Sequence, residues 1–207
     1  MRAIKQARAQ VTRDKILREA TRLFVTRGYH DTSLDEVRRA TGLTTGALFH
    51  HFSGKEQLGL AVLEWYVDQR RRELAAIERT LAAAADPLEQ VLRLLQATQT
   101  RTQRRARRRQ AGCVFGNLTT ALADTHDGFR LKLADCFDEM AIDFKLRLDA
   151  AVKVHCPHRK LDTLGLARYI VSVLEGSIIL SRAHKDGSLI ARNFALLADH
   201  LRHTFAV

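Results

Sequence analysis

The sequence predicts an all-α protein, and three observations carry the prediction. Composition comes first: the 207 residues are 46% hydrophobic, with Ala, Leu, Arg and Glu/Asp prominent, 11 glycines and only 2 prolines. Such a chain favours helices over a sheet. Second, apolar residues recur at spacings of three and four, as in Ile16, Leu17, Ala20, Leu23 and Phe24, which makes one stripe on a helix. Third, helix-start signals punctuate the chain: Ser33 with Glu36, Ser53 with Glu56, and Asp86-Pro87 with Glu89. Each pairs a capping residue with an acid three residues on.

Residues 1–11 carry Arg2, Lys5 and Arg8 before any apolar period begins. They are expected as a polar arm, either solvated or lying along a phosphate backbone. The first helix is expected from about Thr12 to Arg27, ended by Gly28. Ser33 starts a second, with Leu34, Val37 and Ala40 facing inward. Gly42 breaks it and Leu43 plugs the turn. Thr44 caps a third helix over 45–51, with Leu48 and Phe52 inside and Thr45, Gly46, Ala47, Phe49 and His50 on or near the outside. Ser53 and Glu56 then open a helix running to about Leu81, which would span about 35–40 Å. Lys55 sits in its first turn, against the helix dipole, where a bound phosphate would favour it.

Further helices are expected from Asp86-Pro87 into the arginine-rich run 101–109, over 127–155, over 161–184 and from Ser188 to about His203. A short apolar segment covers 112–124. The 161–184 helix is apolar on nearly all sides and must be widely buried. Two domains are expected, 1–55 and 56–207.

The formal net charge of +11 points to a polyanionic partner, nucleic acid or an anionic membrane surface. No uninterrupted apolar stretch reaches the length of a membrane span. The first ten residues lack the apolar core of a secretory signal. Three widely spaced cysteines, Cys113, Cys136 and Cys156, argue for a reducing compartment, the cytoplasm, over a disulfide framework. No Gly-rich phosphate loop, nucleophile elbow, metal-ligand spacing or paired-carboxylate constellation is present, so no enzyme, metal or cofactor is expected.

Residues 33–55, a short helix, a glycine turn and a second short helix, have the layout of a helix-turn-helix. Residues 13–58, RDKILREATRLFVTRGYHDTSLDEVRRATGLTTGALFHHFSGKEQL, closely resemble the TetR family of transcriptional regulators. The shared features are F-x-x-x-G-Y, a T-S pair, an A-T-G-L turn, G-x-L-F-x-H-F and S-x-K-E-x-L. The resemblance implies a homodimer with three N-terminal DNA-binding helices, a larger ligand-binding domain, and pairing through the last two helices. It implies a palindromic double-stranded operator, repression, and release by a small-molecule or electrophile effector.

Carried over, Thr44, Thr45, Ala47, Phe49 and His50 become base and phosphate contacts, and Thr32, Ser33 and Lys55 phosphate contacts. Two departures stand out. Thr45 replaces a common Lys or Arg, and Phe49 replaces a common Tyr, so thymine-methyl contacts and DNA shape replace bidentate guanine reading. The segment GCVFGNL (112–118) is similar to a subset that senses electrophiles or oxidants through cysteine. Cys113, close to six arginines, is either such a sensor or a small buried apolar residue. Trp65, Tyr66, Phe115, Phe137, Phe144 and Tyr169 are candidates to line a ligand pocket. The alternative to a specific regulator is a basic protein coating the nucleoid or a membrane surface.

Overall fold

The computed structural model describes residues 2–81, 86–107 and 112–205. Side chains are described from residue 6 onward, apart from those of residues 80, 106 and 107. Nine α-helices form among these residues: α1 (Arg2–Arg27), α2 (Leu34–Thr41), α3 (Thr45–His51), α4 (Lys55–Leu81), α5 (Pro87–Arg107), α6 (Val114–Leu122), α7 (Asp127–His155), α8 (Thr163–Ala183) and α9 (Ser188–Phe205). Contacts divide the chain into two compact units, 1–70 with 114–133, and 71–113 with 134–207. The division does not fall at residue 55, because α4 continues unbroken past that point and α6 belongs with the N-terminal helices.

In the first unit, α1 buries Ile16, Leu17, Ala20, Leu23 and Phe24. It packs against α2 and α6. Each large apolar side chain fully removed from water contributes about 1.5–3 kcal/mol. Over residues 2–11 the expected arm is instead the first turns of α1. Ala, Lys, Gln and Arg continue a helix on intrinsic propensity without needing an apolar stripe, and Val11 stands 70% exposed. The side chains of Arg2 and Lys5 lie outside the described residues.

The segment around 112–124 is the helix α6, and it completes this unit. Val114, Phe115, Leu118 and Leu122 are buried. Asn117 Nδ2 donates to the Val25 carbonyl at 3.2 Å, and His30 Nε2 lies 3.0 Å from the Ala121 carbonyl. Gly59 leaves room for the ring of Phe129: a Cβ there would stand 2.8 Å from Phe129 Cζ and 3.0 Å from Tyr29 Cε2.

In the second unit α9 packs against α5 and α8, around Val91, Leu94, Phe194, Leu197 and Leu201. Polar ties fix the helix ends. Asp86 accepts from the Leu88 N–H at 2.9 Å and lies 2.7 Å from His155 Nε2. Asp162 caps α8 by accepting from the Gly165 N–H, and Thr163 Oγ1 donates to Asp149. Asn193 Nδ2 donates to Ser177 Oγ at 3.1 Å, joining α9 to α8. The start of α9 is held by Asp186, whose carboxylate accepts from the Ser188 N–H at 2.8 Å.

The α8 helix is long and apolar enough, by length and composition, to cross a membrane. That departs from the reading that no stretch qualifies, which counted only uninterrupted apolar residues. Its burial is one-sided: Ile170, Val171, Leu174 and Ile178 are buried, while Tyr169, Ile179 and Leu180 are exposed.

Candidate nucleic-acid interface

The α2–turn–α3 unit is built by local chemistry. The Ser33 hydroxyl accepts from the Glu36 N–H at 3.2 Å, and the Ser33 N–H donates back to the Glu36 carboxylate at 2.8 Å. The Ser33 N–H foremost, and then the Ser33 hydroxyl donating to the same carboxylate at 3.1 Å, hold the Glu36 carboxyl below the usual carboxylate range. Gly42 ends α2 in the left-handed region at φ 66, where a side chain would be strained. The Gly42 and Leu43 N–H groups bond the carbonyls of Arg39 and Arg38. Thr44 then caps α3, its hydroxyl accepting from the Ala47 N–H at 3.3 Å.

Only one side of α3 is used by the fold. Leu48 and the following Phe52 are each 1% exposed, and Arg13 lies over the Phe52 ring at 4.6 Å. Thr44, Thr45, Gly46, Phe49 and His50 are exposed and Ala47 half-buried. A Cβ built on Gly46 would meet nothing within 4 Å. The result is a short helix with small residues at its start and a face free to enter a groove. Phe49 stands half exposed, an aromatic ring with no hydroxyl to offer a phosphate.

The three residues expected beside α3 fare differently. Ser33 is exposed at the start of α2. Thr32 is 1% exposed, its hydroxyl donating to the Gly28 carbonyl at 2.8 Å and its N–H to Tyr29. It is therefore a structural tie between the end of α1 and the start of α2, and its side chain is not presented to a phosphate. Lys55 folds back: Nζ donates to the His30 carbonyl at 3.0 Å and lies 4.5 Å from the Tyr29 ring centroid. Burial pushes its ammonium pKa down, and Asp31 and Glu36 partly offset this. A carbonyl and an aromatic face thus hold the lysine at the helix start, where a phosphate was expected.

Glu56 also departs from expectation. The helix begins at Lys55, which moves the third helical position to Gln57. The Ser53 N–H donates to Gln57 Oε1 at 2.7 Å, while Glu56 lies 3.0 Å from His126 Nε2 at the start of α7.

The aromatic residues expected to line a pocket are divided between the two units. Trp65, Tyr66 and Phe115 belong to the first unit and Phe137, Phe144 and Tyr169 to the second. Tyr66 and Phe115 pack edge to face, centroids 5.2 Å apart, as buried core. Phe144 is buried, Trp65 and Phe137 are half-buried, and Tyr169 is half exposed on α8.

Cys113, Cys136 and Cys156 are free thiols, Cys113 the most open of the three. Cys113 shares a side-chain hydrogen bond with the largely buried carboxyl of Glu175 on α8. Guanidinium groups were expected there; Arg108 and Arg109 lie outside the described residues, as does the side chain of Arg107. Burial pushes the Glu175 carboxyl up, and the thiol hydrogen bond offsets this in part. Its Oε1 atom has no hydrogen-bond partner among the described residues.

The sign of the pH effect follows. A raised carboxyl pKa means the folded state keeps a proton that the unfolded chain releases near the ordinary value of 4.5. This contribution is full below that pH and is lost as pH rises through the folded value. Glu175→Gln is expected to raise Tm by about 2–5 °C at pH 8, with the gain shrinking towards pH 4.5. Thermal unfolding across this range checks it; an equal shift at every pH would rule out ionisation of Glu175 as the cause.

The fold and the free face of α3 define a helix-turn-helix transcriptional regulator. Residues 16–62 match the family of bacterial regulatory proteins, tetR family, and residues 87–197 match the tetracyclin repressor-like C-terminal domain. The chain belongs to the TetR family and is a transcriptional regulator, not an enzyme.

The HTH-type transcriptional regulator YxaF of Bacillus subtilis is 28% identical over 190 residues, 90% of this chain and 94% of its own. The HTH-type transcriptional repressor DhaR of a Mycobacterium species is 22% identical over 174 residues, 84% of each chain. A TetR transcriptional regulator from Chloroflexus aurantiacus shares the fold with a TM-score of 0.81, at 24% identity over 94% of this chain and 96% of its own.

Proposed function

We propose that this protein is a repressor that acts in the cytoplasm as a homodimer. It would bind a palindromic operator through α3 and leave it when a small ligand binds or when Cys113 is modified. The observation that carries the reading is the free α3 face around Gly46, which the subunit's own packing leaves unused. Thr44, Thr45, Ala47, Phe49, His50 and Ser33 are the proposed contacts, with Lys55 supporting the α2 entry and reaching phosphate only at the expense of its bond to His30. The relative named a repressor favours repression.

Dimerisation through α8 and α9 is supported by their outward stripes. On α8, Tyr169, Ser172, Gly176, Ile179 and Ala183 recur at spacings of three and four, and on α9 Arg192, Ala195, Leu196, Asp199 and His200 do the same. Leu196 is 68% exposed and Ile179 58%. Apolar side chains of this size, interleaved with small residues, suit a second copy of the same two helices. Release is a population shift: an effector that favours wider separation of the two reading heads lowers operator affinity by its differential binding energy. A few kcal/mol suffices.

Two effector routes are distinguishable. Cys113→Ser is expected to keep operator affinity and to abolish release by an alkylating agent such as N-ethylmaleimide, as read by operator binding before and after treatment. Unchanged release from the serine variant removes Cys113 as the sensor and leaves the ligand route.

A further inference from the structure

The second unit holds a cleft that the reading above does not use. Between the last three turns of α4 and the whole of α5 lies a space of about 1120 Å³. Its α4 wall carries residues 73, 76, 77 and 81, and its α5 wall residues 93, 97, 100, 101 and 104. These spacings are those of one helix face. In a closely packed helix pair such stripes are apolar and interdigitated. Here the α5 stripe is charged, with Arg93, Arg101, Arg104 and Arg105 all lining the space.

Carboxylates do not match this charge. Glu73 serves two arginines: Arg101 Nη1 donates to Oε2 at 2.5 Å, and Arg105 Nη2 lies 3.7 Å from Oε1. Arg93 pairs with Glu89 at 2.9 Å. Arg104 has no carboxylate partner among the described residues. Among the described lining residues, four arginines stand with two carboxylates. Beside them the cleft is lined by Ala76, Ile77, Leu81 and Ala97, with Leu81 1% exposed. A charged face serving only solubility would be convex and would not share its concavity with aliphatic side chains. A nucleic-acid backbone would satisfy the arginines but offers no apolar body to cover Ala76, Ile77 and Ala97.

We propose that this cleft binds an amphipathic organic anion, a carboxylate or phosphate monoester on an apolar chain or ring, and that such a molecule is the effector. The head would take the guanidinium forks and the body would lie on Ala76, Ile77 and Ala97. The space is an open groove with room for a small organic molecule. The effector role rests on the ligand-released reading given above. Glu73, Ile77 and Leu81 stand near one end of the continuous helix α4 and Lys55 at the other, so cleft occupancy and the reading head share an element.

The test is calorimetric titration of the full-length protein with dodecanoate and, separately, dodecyl phosphate. Acetate and dodecyltrimethylammonium serve as the tail-less anion and the cation of equal tail. Saturable binding of at least one of the two dodecyl anions is expected, and of neither comparator. Arg104→Gln, an exposed position where folding is not at stake, is expected to weaken anion binding about threefold. Arg101→Gln/Arg104→Gln is expected to weaken it about tenfold or more, with helix content unchanged. The ratio of the two anions identifies the head group. Absence of saturable binding of both anions, equal uptake of the cation, or affinities indifferent to both variants overturns the site.

Operator titration with the tighter anion separates the site from its role. Release in the wild type but not in the double variant supports an effector site. Binding at the cleft with the operator complex undisturbed upholds the site and overturns the role. Release that survives the double variant upholds ligand control and overturns the site.

Discussion

Gly46→Leu is expected to fold at least as well as the wild type and to lose operator affinity by about a hundredfold or more. The free protein gains: a Cβ at 46 meets nothing within 4 Å, and leucine is a better helix former than glycine by up to about 1 kcal/mol. The bound protein loses, because Gly46 lies in the first turn of α3, on the face that leaves Thr45 and Phe49 exposed. A leucine there would hold the helix backbone away from the base edges. Each lost base contact costs about 1–3 kcal/mol, and a dimer pays this at both half-sites. Thermal unfolding and operator titration, both at one fixed salt concentration, separate the two effects. A variant that binds the operator like the wild type would mean that α3 is not the reading helix.

Ile179→Glu combined with Leu196→Glu is expected to give a folded monomer with operator affinity reduced by about two orders of magnitude or more. Both side chains are more than half exposed in the subunit, so charging them leaves its own core intact. In the proposed interface the same charges would be buried without partners, at a cost of several kcal/mol per ion. Each half-site would then be bound alone, without the effective concentration that the partner head supplies. Sedimentation gives the mass, and the operator titration gives the affinity. A double variant that stays dimeric at micromolar concentration would place the interface elsewhere.

Much of this was legible in the sequence because it is local. Ser33 and Glu36 lie three residues apart, and their reciprocal bonds form as the spacing requires. Gly42 takes the left-handed conformation that a helix-breaking glycine suggests. The family resemblance over residues 13–58 rested on such short-range features, and the match over 16–62 covers nearly the same stretch.

What the sequence hid depends on partners distant along the chain. Lys55 is held by a carbonyl 25 residues earlier, and Cys113 meets a carboxyl 62 residues later. Neither pairing has a local signal. Thr32 reads as a surface threonine beside a cap, yet its hydroxyl closes the end of α1. Helix α1 begins earlier than its apolar stripe because propensity alone sustains an exposed helix attached to a packed one. The aromatic residues illustrate a different limit: periodicity tells that Tyr66 and Phe115 face inward but not whether inward means core or cavity.

Selection of bound DNA from a random pool by the full-length protein tests the central claim, sequence-specific operator binding, most directly. The expected outcome is one enriched site of two inverted half-sites, bound about a thousandfold or more tighter than random DNA at physiological salt. Binding that falls steeply with salt while enriching no sequence would contradict it, and would make this a basic coating protein in which the α3 face reads nothing.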